Sequence, residues 1–289
     1  MKFTHLFKIL TPILLLVFFS EISFAQIDKP VRVMSYNVRY KNTIDSINGW
    51  EFRKDNVAAL IKYHKADVVG LQESNNEQTQ DLEERLQGYG WYGVPRMSGP
   101  NGELTPIFYR KDRFALLDSG TFWYSETPDV PESKSWDAMY PRIASWVKLR
   151  DLVSGREFFF FNTHFDHRGE AARQKSGEII RQKIMDISGS QPAILTGDFN
   201  TMEGSEAYEN IVQESTLRDA FHITESPHYG PVNTSSGFAV SPKPIRAKID
   251  YIFVNEKVRV LGHATITDQQ EGRYYSDHLP VLAEVKMMD

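Results

Sequence analysis

Short runs of aromatic and β-branched residues recur along the chain between turn-forming residues, and this pattern predicts β-strands. The predicted strands are Val31–Tyr36, Asp67–Leu71, Leu104–Tyr109, Phe114–Tyr124, Arg142–Leu149, Arg156–Asn162, Ala193–Thr196, Lys248–Val254, Val258–Thr265 and Val281–Lys286. Helical spacing of apolar residues predicts helices over Trp50–His64 and Glu170–Ile187, and Asn76–Leu86 is a polar helix. Many strands with few helices favour two packed sheets covered by helices, in one domain.

The first 25 residues have the layout of a secretory signal peptide. Lysines precede the apolar run Ile13–Phe19, and Ser23 and Ala25 supply small residues before the predicted cleavage point. This run is shorter than the roughly 20 residues that a membrane-spanning helix needs. We therefore predict a leader over residues 1–25, a folded domain over 26–289, and export to the periplasm or the medium. An uncleaved anchor and a buried helix are the alternatives.

Composition narrows the chemistry that the chain can perform. There is no cysteine, which excludes disulfides, zinc–thiolate sites, cysteine nucleophiles and a lipid anchor on an N-terminal cysteine. The formal net charge of −5 provides no global basic surface for binding nucleic acid, although a local basic groove stays open as an alternative. Lysine and arginine are not interleaved with aromatics in the manner of a single-strand-binding channel.

Six predicted strand ends carry polar residues that are suited to catalysis or metal binding. They are Asn37, Gln72-Glu73, Asn162-Thr163-His164, Asp198-Phe199-Asn200, Asp250 and Ser276-Asp277-His278. Each segment alone has a structural explanation, as a turn residue or a helix cap. Together they supply more carboxylate, amide and imidazole groups than turns require. We interpret the set as functional.

The order of these motifs resembles the endonuclease/exonuclease/phosphatase superfamily, the deoxyribonuclease I-like hydrolases. The motifs that carry the resemblance are Gly197-Asp198-Phe199-Asn200, Ser276-Asp277-His278, Gln72-Glu73 and Lys248-Ile249-Asp250-Tyr251-Ile252-Phe253. They span nearly the whole chain after the leader, from Tyr36 to Pro280. The resemblance implies an α+β fold, a four-layer α-β-β-α sandwich whose two mostly antiparallel sheets pack face to face. It also implies a catalytic domain over residues 26–289 with its active site at one edge of the sheets.

The resemblance further implies a divalent cation at this site. Glu73 would be the principal ligand, Asp277 a further ligand, and Asn37 an assistant at the metal or on a phosphate oxygen. Oxygen ligands of this kind suit Mg²⁺ or Mn²⁺.

Catalytic roles follow for five more residues under the same resemblance. Asp250 would pair with His278 and fix its tautomer. Asp198 and Asn200 would position or deprotonate the attacking water. His164 would donate a hydrogen bond to a phosphate oxygen or to the leaving group. Both Asp198 and His278 stay open as the group that takes the proton of the water.

Four other residues are candidates for substrate binding. Glu103 would orient His164 or is a solvated loop residue. Arg39 would meet a phosphate or is a surface charge. Arg142 follows a long loop rich in aromatic and charged residues, which is a candidate for selecting the leaving group. His167 lies just beyond the Asn-x-His segment, where it would touch substrate or a second metal, or form loop hydrogen bonds.

We therefore predict an exported, divalent-metal-dependent phosphoester hydrolase, either a phosphodiesterase or a phosphatase. Its substrate would be a phosphorylated small molecule, a phospholipid head group or nucleic acid. We expect a monomer with no stable membrane insertion after cleavage of the leader. A catalytically inactive binding module on the same fold and a dedicated secreted nuclease are the alternatives. The inactive module is disfavoured because the expected catalytic and metal-binding side chains are all present: Glu73, Asp198, Asp250, Asp277 and His278.

Overall fold

The computed structural model describes residues 29–99, 102–240 and 247–288. The predicted leader over residues 1–25 lies outside these ranges and stays a prediction. The strands are β1 (Val31–Asn37), β2 (Val68–Gln72), β3 (Ser74–Asn75), β4 (Tyr89–Tyr92), β5 (Glu103–Leu104), β6 (Ile107–Arg110), β7 (Phe114–Trp123), β8 (Ile143–Asp151), β9 (Glu157–His164), β10 (Ala193–Asp198), β11 (Arg218–Asp219), β12 (Asp250–Val254), β13 (Val258–Thr265), β14 (Gln269–Gln270), β15 (Arg273–Tyr274) and β16 (Val281–Met287).

Helices connect these strands. They are α1 (Trp50–Tyr63), α2 (Asn76–Arg85), α3 (Glu170–Ser188), α4 (Glu206–Val212) and α5 (Ala220–Ile223), with short 3-10 turns at Thr43–Asn48 and Gln213–Ser215. Within the described ranges, none of the helices is both long enough and apolar enough to cross a membrane.

Two six-stranded sheets form the centre of the molecule, in the orders β13-β16-β1-β2-β6-β4 and β11-β12-β10-β9-β8-β7. The middle pair of each sheet is parallel, β1 with β2 and β9 with β10, and the other described neighbours are antiparallel. Parallel neighbours require a crossover connection, which α1 and α3 provide. The prediction of two mostly antiparallel sheets is confirmed.

Alternating side chains on one strand face two different cores. On β9, Phe158 and Phe160 pack between the two sheets, whereas Phe159 and Phe161 pack with residues of α3 and α4. Successive side chains of a strand point to opposite faces of the sheet, so a strand covered on both sides is apolar throughout. A third cluster joins α1 and α2 to the outer face of the first sheet. The layers are therefore helix, sheet, sheet, helix, and the predicted four-layer sandwich is confirmed.

The N-terminus of α2 fixes the chain segment that follows β1. Asn75 and Gln78 form a capping box, in which each side chain accepts a hydrogen bond from the other's backbone N–H. Gln78 also accepts from the backbone N–H of Lys41 and donates to the carbonyl of Arg39. The segment after β1, which contributes to the site described below, is thereby tied to the outer helix layer.

The predicted strand Leu104–Tyr109 is wrong as a single element. The structure divides it into β5 and β6, which pair with β3 and with β2 and β4 respectively. Pro106 lies between them and has no backbone N–H to donate to a ladder. The sequence reading also missed β4, a short half-buried edge strand whose two tyrosines, glycine and tryptophan do not alternate with polar residues.

Candidate active site

The parallel middle strands of the two sheets end at the same edge of the sandwich. Asn37 is the last residue of β1 and Glu73 follows β2, whereas His164 and Asp198 end β9 and β10. Asp250 starts β12 and is paired in register with Asp198. The Asn37 side-chain amide donates to an Asp198 carboxylate oxygen over 2.9 Å, which joins the two sheets. The structure therefore brings these predicted site residues together.

Asp198 is the centre of the cluster. Its Oδ2 lies 3.6 Å from His164 Nε2 and 3.9 Å from His278 Nε2. The backbone N–H of Asn200 donates to the other oxygen, Oδ1, over 2.9 Å. Burial, reinforced by the nearby charge of Asp250, raises the pKa of Asp198 to about 7. A carboxylate with that pKa is suited to accept a proton near neutral pH.

His278 is held by a buried carboxylate. Its Nδ1 lies 2.8 Å from Asp250 Oδ2, which also accepts a 2.5 Å hydrogen bond from the Thr234 hydroxyl. A carboxylate only accepts, so His278 Nδ1 carries a proton. Burial alone would lower the pKa of His278, but the carboxylates of Asp250 and Asp198 outweigh it and raise that pKa well above its ordinary value. The imidazolium form, with a second proton on Nε2, is therefore favoured.

His164 is favoured as a neutral imidazole, in contrast to His278. The Asn200 side-chain N–H₂ donates to the Phe165 carbonyl and to His164 Nε2, each over 3.1 Å. His164 Nε2 is thus an acceptor, and the ring proton lies on Nδ1, 3.7 Å from a Glu103 oxygen. Burial lowers the pKa of His164 well below its ordinary value, and the charge of Arg142 adds to this effect. The predicted role of His164 is to donate to a phosphate oxygen or to the leaving group. Donation from Nε2 would require the Asn200 amide to turn or the ring to be protonated.

Glu73 holds its carboxylate in the site through an uncommon backbone conformation. Its φ is 58°, in the left-handed region, and Arg39 and Asn200 have φ values of 60° and 48°. Oε1 accepts from the Asn37 side chain over 3.1 Å, and Oε2 accepts from the backbone N–H of Tyr40 over 3.0 Å. Burial alone would raise the pKa of Glu73, but these donors and the charge of His278 lower it. The Glu73 carboxylate is therefore an anion, and a hydrogen bond to each of its two oxygens holds it in position.

The donor set fits a hard divalent cation. Ligand atoms of Glu73, His164 and Asp198 lie within 4.8 Å of one another. Carboxylate oxygens are the ligands that Mg²⁺ and Mn²⁺ prefer, and a cation would stabilise the buried Glu73 anion. Asp198, Asp250 and His278 form a second group of three, but the Nδ1 atom of His278 is already hydrogen-bonded to Asp250.

The other two predicted metal-site residues face Arg39. Asp277 Oδ2 lies 3.5 Å from the Arg39 guanidinium, which also binds Asp45 over 3.1 Å. Burial raises the pKa of Asp277 above its ordinary value. The side-chain oxygen of Asn37 accepts from the backbone N–H of Arg39. Both residues lie at the site, and their roles as metal ligands stay predictions.

Three of the candidate substrate-binding residues line one flank of the site. Arg142 donates from Nε to Asp166 over 3.3 Å, and its Nη2 lies 2.9 Å from His167 Nδ1. Glu103 is held by Arg96 Nη2 over 2.8 Å. The buried Arg96 was not among the predicted site residues. Arg96 lies in an irregular stretch without a motif, so the sequence contains no signal for it.

Thr234 is another residue that sequence reasoning missed. It lies in a stretch, residues 227–246, whose composition predicts a long loop, and its hydroxyl also accepts from the backbone N–H groups of Ile249 and Asp250. The length of that segment was the only available signal, because long loops inside a compact domain are often functional.

Residues 34–278 match the model of the Endonuclease/Exonuclease/phosphatase family. The chain belongs to this family. Phosphoester hydrolysis is therefore its general activity, and the resemblance read from the strand-end motifs is confirmed. A curated relative, uncharacterized protein R895 of Acanthamoeba polyphaga mimivirus, is 25% identical over 255 residues. That alignment covers 74% of this chain and 36% of R895, so the chain corresponds to about a third of this relative.

Solved structures from Bacteroides match over nearly their full length. An endonuclease/exonuclease/phosphatase of Bacteroides vulgatus is 42% identical with a TM-score of 0.85, covering 89% of this chain and 99% of the other. The mannosyl-6-phosphatase of Bacteroides thetaiotaomicron is 38% identical with a TM-score of 0.83, covering 88% of this chain and 99% of that enzyme. These similarities extend over both sheets and both helix layers.

Proposed function

We propose that this family member is an exported, divalent-metal-dependent phosphatase that removes phosphate from phosphorylated sugars. The observation that carries the chemistry is the buried Asp198 carboxylate between the imidazoles of His164 and His278. The likeness to a mannosyl-6-phosphatase over 99% of that enzyme supports the substrate class. The leader pattern over residues 1–25 supports export. Activity that stays in the cytoplasm of cells expressing the whole chain would contradict the export part.

Glu73 would hold the cation as its principal ligand, which leaves Asp198 to act on the attacking water. When bound, the cation would neutralise charge on the phosphate oxygens and on the leaving oxygen. The chain's own contribution is to keep Glu73 ionised through the Asn37 and Tyr40 donors described above. The remaining groups of the site act on the water and on the phosphate.

Asp198 is the better-placed proton acceptor for the attacking water. Its pKa of about 7 leaves a substantial ionised fraction at neutral pH, whereas His278 is favoured as the protonated imidazolium. The imidazolium would donate from Nε2 to a phosphate oxygen, where negative charge increases in the transition state. Asp250 keeps Nδ1 protonated and thereby keeps Nε2 directed into the site.

The test is a substrate panel run on protein stripped with chelator and then resupplied with Mg²⁺ or Mn²⁺. We expect hydrolysis of mannose 6-phosphate and phenyl phosphate, and weaker turnover of bis(4-nitrophenyl) phosphate, plasmid DNA, RNA and phospholipid. Glu73→Gln should lower kcat about 100-fold or more with metal present. The matched control is Glu77→Gln, which removes an exposed carboxylate paired with Lys41. Full activity after chelation, or faster turnover of DNA than of any monoester, would refute the proposal.

A further inference from the structure

Two buried arginines next to His164 have N–H groups without an acceptor. Arg96 is 7% exposed and Arg142 is 4% exposed. Among the described residues, no atom accepts a hydrogen bond from Arg96 Nε, Arg96 Nη1 or Arg142 Nη1. A buried charged donor without a partner is energetically costly, because it has lost its hydrogen bonds to water and gained none in the protein. The part of the chain that the structure describes therefore leaves these donors unsatisfied.

Both guanidinium groups are nevertheless held firmly in place. Arg96 is fixed by Glu103 over 2.8 Å and lies over the ring of Tyr140, with its central carbon 4.8 Å from the ring centroid. Arg142 is fixed by Asp166 over 3.3 Å and is also 2.9 Å from His167. Some N–H groups of each arginine therefore hold its guanidinium in place, and the remaining N–H groups are available to bind another molecule.

Both arginines line a cavity whose wall includes His164, and this connects them to the reaction. Arg96, Arg142, Glu103, Thr105 and His164 all line it. The free volume is about 10 Å³, which is room for one water or one hydroxyl oxygen and too little for a phosphate. Any substrate group that enters this space is therefore small and accepts hydrogen bonds.

The charge of the surroundings indicates that this group is neutral. Arg96 is paired with Glu103 and Arg142 with Asp166, so the two positive charges are balanced by two carboxylates. A second anionic group would gain little attraction here. A hydroxyl group accepts from N–H donors and can itself donate to a carboxylate such as Glu103, which matches both parts of the wall.

We propose that Arg96 and Arg142 bind a hydroxyl group of the leaving sugar and thereby select a polyhydroxylated alcohol over other phosphate esters. This inference rests on the proposed phosphatase function. A hydroxyl that displaces a single water and satisfies the orphan donors contributes specificity, because an analogue that lacks it leaves those donors unpaired.

The first experiment uses the wild-type protein with Mg²⁺, on mannose 6-phosphate, its 2-, 3- and 4-deoxy analogues, and phenyl phosphate. We expect at least one deoxy analogue to lose about tenfold or more in kcat/KM relative to the parent sugar. Equal kcat/KM for the parent and every deoxy analogue overturns the inference, even if phenyl phosphate is hydrolysed. Failure to hydrolyse any of these monoesters would instead refute the proposed function on which the inference rests.

Variants then assign the effect to the two arginines. Arg96→Lys and Arg142→Lys retain the positive charge but remove the orphan donors, and each should reduce the parent-to-deoxy ratio of kcat/KM toward one. The control is Arg150→Lys, an exposed arginine paired with Glu157, which should keep the ratio. An unchanged ratio in both lysine variants overturns the assignment. If a variant does not fold, as judged by its thermal unfolding, the wild-type deoxy series decides.

Discussion

Asp250 shares one carboxylate oxygen between the His278 ring and the Thr234 hydroxyl, whereas its other oxygen, Oδ1, accepts no hydrogen bond from the described residues. The tautomer of His278 therefore depends on one buried anion. An amide at position 250 could present N–H₂ to Nδ1 and move the ring proton to Nε2, and it would also remove the charge that favours the imidazolium.

We predict that Asp250→Asn lowers kcat about 100-fold to 10,000-fold while the protein still folds. The matched control is Asp268→Asn, which alters a second Asp–His pair: Asp268 lies 2.8 Å from His64 in a partly exposed position. That variant should keep kcat within about threefold. Measured kcat and melting temperature of both variants check the prediction, and an Asp250→Asn enzyme close to wild-type activity would contradict the role assigned to the pair.

Residues of the candidate site could be predicted from sequence where they stand in short motifs at strand ends. Asp198 and His278 are of this kind. Arg96 and Thr234 could not be predicted, because each reaches the site from a segment without periodicity, and its partner lies at least seven positions away in the sequence. Such contacts depend on how loops fold over the sheet edge.

Asn162 links the two sheets through a buried network at the element scale. Its side-chain N–H₂ donates to the Leu71 carbonyl over 2.7 Å, and its oxygen accepts from Gln72 over 2.6 Å and from Thr196 over 3.1 Å. The network requires close approach between β2 and the second sheet. Gly70 provides it, because a Cβ at this position would overlap the Thr196 hydroxyl and the Asn162 side chain.

Gly70→Ala should therefore destabilise the protein by about 1–3 kcal/mol, since a well-packed interior cannot absorb an added methyl group. Gly262→Ala is the control, because a Cβ there meets no atom within 4 Å. Urea unfolding of both variants measures the difference. Equal unfolding free energies would show that the sheets can separate at Gly70 at no cost.

Whole strands were predicted well where residues are buried on both faces, as in the aromatic run of β9. The boundaries were less certain, because a strand end depends on its partner. The predicted strand Leu104–Tyr109 is interrupted at Pro106, and its two halves pair with different strands. A pattern of apolar residues does not state which neighbour each half will pair with.

At the scale of the whole molecule, one buried histidine makes the free energy of unfolding depend on pH in acid. His263 Nδ1 lies 2.9 Å from His228 Nδ1, and His228 Nε2 lies 3.2 Å from the Pro231 carbonyl. His228 therefore carries its proton on Nε2, and His263 donates from Nδ1. Burial, together with the nearby charges of His228 and Lys248, lowers the pKa of His263 to about 3. The native state thus keeps His263 neutral.

The sign of the pH effect follows from this lowered pKa. Between about pH 6.5 and pH 3, the unfolded chain binds a proton at His263 and the folded chain does not, so the stability contribution is complete above pH 6.5 and is lost as the pH falls. We predict that His263→Asn reduces the slope of unfolding free energy against pH by up to about 1.4 kcal/mol per pH unit. If His263→Asn keeps the wild-type slope of unfolding free energy against pH, a different group is responsible for the acid sensitivity.

The fold class was predictable because doubly buried strands, crossover helices and turn residues all point to the same two-sheet arrangement. The motif order then gave the family. Assembly of the site from both sheets depends on register and on the bridge from Asn37 to Asp198, and no local pattern encodes either of them.

The left-handed backbone at Glu73 affects which substitutions at this position the protein tolerates. A side chain at a φ of 58° costs about 1 kcal/mol relative to glycine, so Glu73→Gly should be more stable than Glu73→Ala, the reverse of the usual order in a strand or helix. Chemical denaturation of the two variants tests this order, and an alanine variant at least as stable would exclude strain. A single nucleotide change converts a glutamate codon to a glycine codon. If selection for turnover were relaxed, this one change would give a folded descendant that lacks the Glu73 carboxylate.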